Sequence, residues 1–182
     1  SNEIIQFENI ELKELINDYV SSSDKILAKI IVDHDSPYLK SIIINKGSKD
    51  NIRIGTSIYD QSYLVGRVIE VNYKTSRVLL LSDLNSNVPA TIAPQNIQAI
   101  ITGSGDYYGE IKYTKEKIDD EFSEESIIYT SGTGAIFKSG IPIGKLKTKE
   151  NVTNKYFVEF FSDFSQLKYV FAEIETRSPI IK

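Results

Sequence analysis

The stretch that most limits what this chain can fold into runs from Gly55 to Asp83. It holds two long alternating segments, Leu64 to Val71 and Ser76 to Ser82, joined by Asn72-Tyr73-Lys74-Thr75, with Gly66-Arg67 inside the first. A period of two puts successive side chains on opposite faces of a strand, so both segments read as half-buried β-strands. The pattern returns about seventy residues on. Ser57-Ile58-Tyr59 is echoed by Ser126-Ile127-Ile128-Tyr129, Leu64-Val65-Gly66-Arg67-Val68 by Pro142-Ile143-Gly144-Lys145-Leu146, and Leu81-Ser82-Asp83 by Phe161-Ser162-Asp163. Such an echo marks two related β units in one chain.

The rest of the chain is of the same kind. Ile and Val dominate the apolar residues, with 11 Tyr and 8 Phe, a composition that favours pleated, half-buried strands. After residue 24, strands are expected at Ile26 to Val32, Ser41 to Asn45, Ser57 to Tyr59, the two segments above, and Val88 to Ala93. Further strands are expected at Ile97 to Thr102, Glu110 to Thr114, Ser126 to Thr130, Ile141 to Thr148, Lys155 to Phe161 and Lys168 to Ile174. About twelve short strands at this spacing belong to barrels or sandwiches, so the fold class is all-β. The exception is Glu3 to Val20, where Ile5, Leu12 and Tyr19 recur every seven residues with Leu15 and Ile16 between them. That seam fits either an amphipathic helix docked on its own domain or the downstream end of a dimeric coiled coil. We take Ile5, Leu12, Leu15 and Tyr19 as dimerisation residues.

Charge and chemistry narrow the function. The net charge of −4 is spread along the chain with no basic stripe, which argues against nucleic acid as a partner. No cysteine is present, so disulfides, thiolate catalysis and Cys-ligated zinc are excluded, and either redox compartment fits. The chain starts at Ser1 and lacks methionine altogether, as expected of a fragment whose membrane anchor or signal would lie upstream.

Catalytic patterns fall short. Gly103-Ser104-Gly105-Asp106-Tyr107-Tyr108-Gly109 leads into a strand and not into the helix a dinucleotide site needs, and it reads as a hairpin turn. Gly140 to Lys145 is too short for a phosphate loop, with Leu146 where a Ser or Thr would bind magnesium. Asp83 to Asn87 opens like a calcium loop but carries Val88 and Pro94 at decisive positions, and is expected to be a polar turn. The acidic run over 115–125 reads as a solvated loop. His34, the sole histidine, is expected at a turn, and it would have to serve any triad built on Ser131. No cofactor or metal is expected. Gly66 and Gly144 are expected to allow close backbone approach where a barrel closes. Tyr63, Tyr107, Tyr108 and Phe137 are turn-proximal aromatics that could equally anchor a partner or pack as satellite core.

Several segments, in order, closely resemble the MreC family of bacterial rod-shape-determining proteins. They are Ala28 to Asp33, Ile42 to Gly47, Leu64 to Val68, Ser76 to Asp83, Thr130-Ser131-Gly132 and Gly140 to Leu146. Gly66, Arg67, Gly144 and Lys145 form its structural signature. The resemblance implies a membrane-anchored protein with a coiled coil followed by two small six-stranded β-barrels of chymotrypsin-like topology, on the extracytoplasmic (periplasmic) face of the inner membrane. It implies a non-catalytic scaffold, homodimeric or filamentous, that links MreB and MreD to the class B penicillin-binding transpeptidase and RodA. Partners would meet strand edges and apolar patches of the barrels. The family pattern further implies nested barrels, with 55–117 inserted into an outer barrel of 25–54 and 118–176. Sequential barrels at 25–94 and 95–176 are the alternative. Two other functions stay open: a cell-wall glycan-binding module using its tyrosines, and a degenerate barrel hydrolase using Ser131 or His34.

Overall fold

The computed structural model of the protein describes residues 24–36, 38–114, 126–149 and 156–175. The expected helix with Ile5, Leu12, Leu15 and Tyr19, and the acidic run 115–125, lie outside these residues. The first strands are β1 (Asp24–Ser36), β2 (Leu39–Ile44), β3 (Ser57–Asp60), β4 (Tyr63–Val71) and β5 (Ser76–Leu80). Then come β6 (Asn87–Ala93), β7 (Ile97–Gly103), β8 (Gly109–Thr114), β9 (Ile127–Thr130), β10 (Pro142–Thr148), β11 (Tyr156–Phe160) and β12 (Tyr169–Ile174). They close into two six-stranded barrels, in the orders β1-β12-β3-β4-β5-β2 and β10-β11-β8-β7-β6-β9. Every pairing is antiparallel among the described residues.

The two barrels repeat one plan. Taken around the first barrel, β12, β1, β2, β3, β4 and β5 stand where β6 to β11 stand in the second, and each keeps the same neighbours. Gly66 lies opposite Ile58 on one side and Leu80 on the other; Gly144 lies opposite Ile128 and Phe160. The Leu81 amide donates to the Val65 carbonyl at 3.0 Å, and the Phe161 amide to the Ile143 carbonyl at 3.1 Å. Just beyond, Asp83 Oδ1 accepts the Asn85 amide at 2.7 Å and Asp163 Oδ1 the Ser165 amide at 3.0 Å, two matching aspartate turns. The first barrel is a circular permutation of the second. Its leading strand, β12, arrives from the far end of the chain because β6 to β11 are inserted between β5 and β12.

That membership corrects both divisions read from the sequence. Placing the insert at 55–117 would detach β3, β4 and β5 from β1, β2 and β12, with which they close. A cut after residue 94 fails because β6 pairs with β7 and β9. The polar stretch 46–51 is a loop inside the first barrel. The true crossing from β5 to β6 is a tight turn whose Ser82 and Asp83 are 3% and 0% exposed, which locally looks like any hairpin. Closure pairs the strands within each ring, but from Val32 to Ser36 β1 pairs with β2 alone and keeps one open edge. His34 is a strand residue opposite Ser41, because β1 continues to Ser36.

Strand alternation sets the packing. In β7, Ile97, Ala99 and Ile101 are buried while Gln98, Ile100 and Thr102 are half-buried. β4 breaks the alternation because it is covered on both faces: Val65 and Val68 fill the first barrel's core, whereas Leu64 joins the core of the second. Tyr59 and Leu81 join it too, so the second core is continuous with the seam between barrels.

Candidate interaction site

Polar links reinforce that apolar seam. Ser162 Oγ donates to Asp60 at 2.9 Å, and the Tyr63 and Phe161 rings lie 4.8 Å apart. On β12 the Glu173 carboxylate, with its side chain 8% exposed, accepts the Tyr59 hydroxyl at 2.6 Å and the Lys138 ammonium at 2.8 Å. Lys25 Nζ sits 4.0 Å from the Tyr59 ring centre. Burial holds the Lys25 pKa below its ordinary value; Glu173 opposes the shift and Lys138 adds to it. Glu173 thus ties β3 and β12 of the first barrel to the β9–β10 loop of the second.

Beside the seam opens a cleft of about 840 Å³, walled by the β1–β2 hairpin on one side and by the β7–β8 loop, β11 and the β11–β12 link on the other. Its wall is aromatic: Tyr107 meets Tyr108 edge-on at 5.7 Å, Tyr108 meets Phe157 edge-on at 5.6 Å, and Phe160 and Phe164 are 5.3 Å apart. Its charge is acidic, with Asp33, Asp35, Asp106, Glu159 and Asp163 against Lys40 and Lys149. Lys40 is ion-paired to Asp35, and Lys149 Nζ stands 4.9 Å from the Tyr108 ring centre.

Local bonds fix these groups. Ser104 Oγ donates to the Tyr108 carbonyl at 2.7 Å and accepts the Asp106 amide at 3.2 Å, while the Gly105 amide donates to the Ser82 carbonyl at 2.9 Å. The aromatic loop is therefore pinned to the crossing between barrels. Buried Asp83 holds the opposite wall by accepting the Lys40 amide through Oδ2 at 2.7 Å. His34 Nδ1 lies 2.9 Å from Arg77 Nη1, which also donates to Ser41 Oγ at 2.9 Å; Arg77 Nε is 3.5 Å from Glu70.

Three of the four aromatics singled out from sequence meet at this place: Tyr107 and Tyr108 in the cleft, and Tyr63 against the cleft residue Phe161. Phe137 does not. It is 6% exposed inside the second core, with no face left for a partner. Arg67 is half-buried on β4 opposite Leu79, and Lys145 is exposed on β10 opposite Glu159. Gly66 and Gly144 lie where the backbone of the neighbouring strand leaves no room for a side chain. A Cβ would stand 2.0 Å from the Leu79 carbonyl oxygen at the first and 2.2 Å from that of Glu159 at the second. Ser131 and His34 sit on different barrels with separate partners: Ser131 Oγ donates to Thr133 Oγ1 at 3.0 Å and faces no base. Among the described residues no group of three or more His, Asp or Glu could hold a metal, and no helix is long and apolar enough to cross a membrane. The sequence pointed to the cleft through Tyr107, Tyr108 and the echo at Phe161-Ser162-Asp163, whereas Asp35 and Glu159 carried no signal of their own.

Two closed six-stranded barrels, one inserted in the other and sharing a buried seam, define a double-barrel structural module. Residues 30–172 match the family model described as "Rod shape-determining protein MreC, barrel core", and the chain belongs to that family. It is 30% identical over 143 residues to the cell shape-determining protein MreC of Caulobacter vibrioides, covering 79% of this chain and 40% of that protein. It superposes on the crystal structure of MreC from Pseudomonas aeruginosa with a TM-score of 0.72 at 26% identity, over 82% of this chain and 98% of that one. The fold also matches, with a TM-score of 0.60 at 12% identity over 85% and 99% of the two chains, a solved complex between penicillin-binding protein (PBP2) and MreC from Helicobacter pylori. The chain spans about half the length of the curated relatives it matches.

Proposed function

We propose that this chain is the extracytoplasmic barrel region of a non-catalytic, membrane-anchored scaffold that maintains cell shape by organising peptidoglycan synthases. The observation that carries the reading is the cell-shape family match, which runs from β1 to β12 and so takes in both barrels. The solved Helicobacter pylori complex supports a class B penicillin-binding transpeptidase as the direct partner. RodA, MreD and MreB complete the assembly, and the segment with Ile5, Leu12, Leu15 and Tyr19 pairs two chains into a dimer or filament. A scaffold of this kind works by geometry, so the fixed seam between the barrels is its functional asset. Depleting the full-length protein from the cell that encodes it is expected to turn rods into wide, rounded cells. Rods of normal width after complete depletion would overturn the reading.

A further inference from the structure

We infer that the cleft between the barrels receives an extended, lysine- or arginine-bearing segment of a partner protein; the inference rests on the scaffold reading above. Charge carries the first part of the argument. Five acidic residues and two lysines line the cleft, and both lysines are already engaged, Lys40 by Asp35 and Lys149 by the Tyr108 ring. The neighbouring guanidinium of Arg77 is met by Glu70 and directed at Ser41 and His34. Among the described residues Asp33, Asp106 and Glu159 form no ion pair, and with Lys145 opposite Glu159 counted the acids around the cleft still outnumber the lysines, so it draws in cationic segments and repels acidic ones.

The wall carries the second part. Tyr107 is 79% exposed at the head of a row of three edge-on rings, and tyrosine is among the residues enriched at binding hot spots. Aromatic faces beside carboxylates suit the long side chains of lysine and arginine, whose stems lie along the rings and whose heads reach the acids. The chain's own Lys149 stands over Tyr108 in this way. The walls come from both barrels, so an occupant touches both and reads their fixed relative orientation. From Val32 to Ser36, beside the cleft, β1 pairs with β2 alone, so an extended segment can meet the open edge of β1 as well as the side chains of the walls.

The test measures binding of the 182-residue chain to the detergent-solubilised cognate class B penicillin-binding transpeptidase, with wild type, Asp106→Lys/Glu159→Lys, Tyr107→Ala and Tyr107→Phe side by side. The charge-reversed chain is expected to bind at least about tenfold more weakly and with a flatter salt dependence, as loss of interfacial charge complementarity requires. Tyr107→Ala weakens binding and Tyr107→Phe keeps it; both substitutions are at an exposed ring, so they decide the matter even if the double variant folds poorly. A photo-crosslinker at position 107 is expected to capture a transpeptidase peptide containing lysine or arginine. Wild-type binding that all variants share overturns the inference and leaves the scaffold reading intact. Capture of a second copy of this chain also overturns it, and absence of wild-type binding overturns both.

Discussion

Replacing Gly66 with alanine adds a single methyl group, and the structure sets its cost. Neither Gly66 nor Gly144 is among the glycines with positive φ, so the requirement is for space and not for an unusual backbone angle. The new Cβ would stand 2.0 Å from the Leu79 carbonyl oxygen, 3.0 Å from its carbon and 3.2 Å from Leu80 Cα. These are backbone atoms with no rotamer by which to retreat. Real Cβ contacts hardly ever fall below 3.0 Å, so β4 and β5 must part by about 1 Å at that point. The neighbouring bond from the Leu81 amide to the Val65 carbonyl, now 3.0 Å, would be stretched out of range. Overpacking costs about 1–3 kcal/mol and each weakened buried backbone bond about 1 kcal/mol more, giving roughly 2–5 kcal/mol in all. For a chain of this size that is a fall of roughly 5 to 20 °C in Tm. Far-UV circular dichroism of Gly66→Ala, Gly144→Ala and the larger Gly66→Val would measure it, with exposed Lys145→Ala as the unaffected control. Melting of Gly66→Ala within about 2 °C of wild type would refute the reasoning, since effects that small belong to surface substitutions.

Other expected outcomes follow from the seam. Tyr59→Phe and Glu173→Gln should be coupled by about 1–2 kcal/mol in a double-mutant cycle of urea unfolding, because the 2.6 Å bond joins a hydroxyl to a buried carboxylate; strict additivity would show that the bond contributes nothing. Asp83→Asn leaves one acceptor for two amides, those of Lys40 and Asn85, and is expected to cost about 1–3 kcal/mol; an unchanged urea midpoint would deny Asp83 that role. Lys25 titrates below its ordinary value when folded, so between that lowered value and 10.5 the unfolded chain holds more protons and stability due to this group rises with pH. Over that window the wild type should gain stability relative to Lys25→Met; a wild type that loses ground would reverse the sign of the shift.

The strands were legible in the sequence because alternation is local. All twelve fall where expected, with ends moved by a few residues. β1 extends furthest beyond its expected bounds, since a register shift between Ile30 and Val32 lets one long strand leave β12 and continue along β2. Barrel membership was not legible, because β12 finds β1 and β3 across the whole length of the insert, and no local pattern records such a pairing. For Phe137, core packing and not partner contact is realised, for a related reason. The Gly140 amide donates to the Thr130 carbonyl at 2.8 Å, which folds the loop back and turns the ring inward. The cleft is assembled from Asp33, Asp106 and Glu159, acids far apart in the chain that look solvated in isolation. Only the tyrosine pair and the echoed Phe161-Ser162-Asp163 stood out.

On the proposed reading, the cell-shape scaffold acts through a fixed double-barrel body and the acidic, aromatic cleft between its barrels. The most direct test is rescue of cell shape, by the full-length protein carrying Asp106→Lys and Glu159→Lys, in cells depleted of the wild type, with its level and melting temperature matched to wild type. Rounded cells are predicted, against rods with the unaltered protein. Rods of normal width from the charge-reversed protein would show that the cleft's charge plays no part in shape.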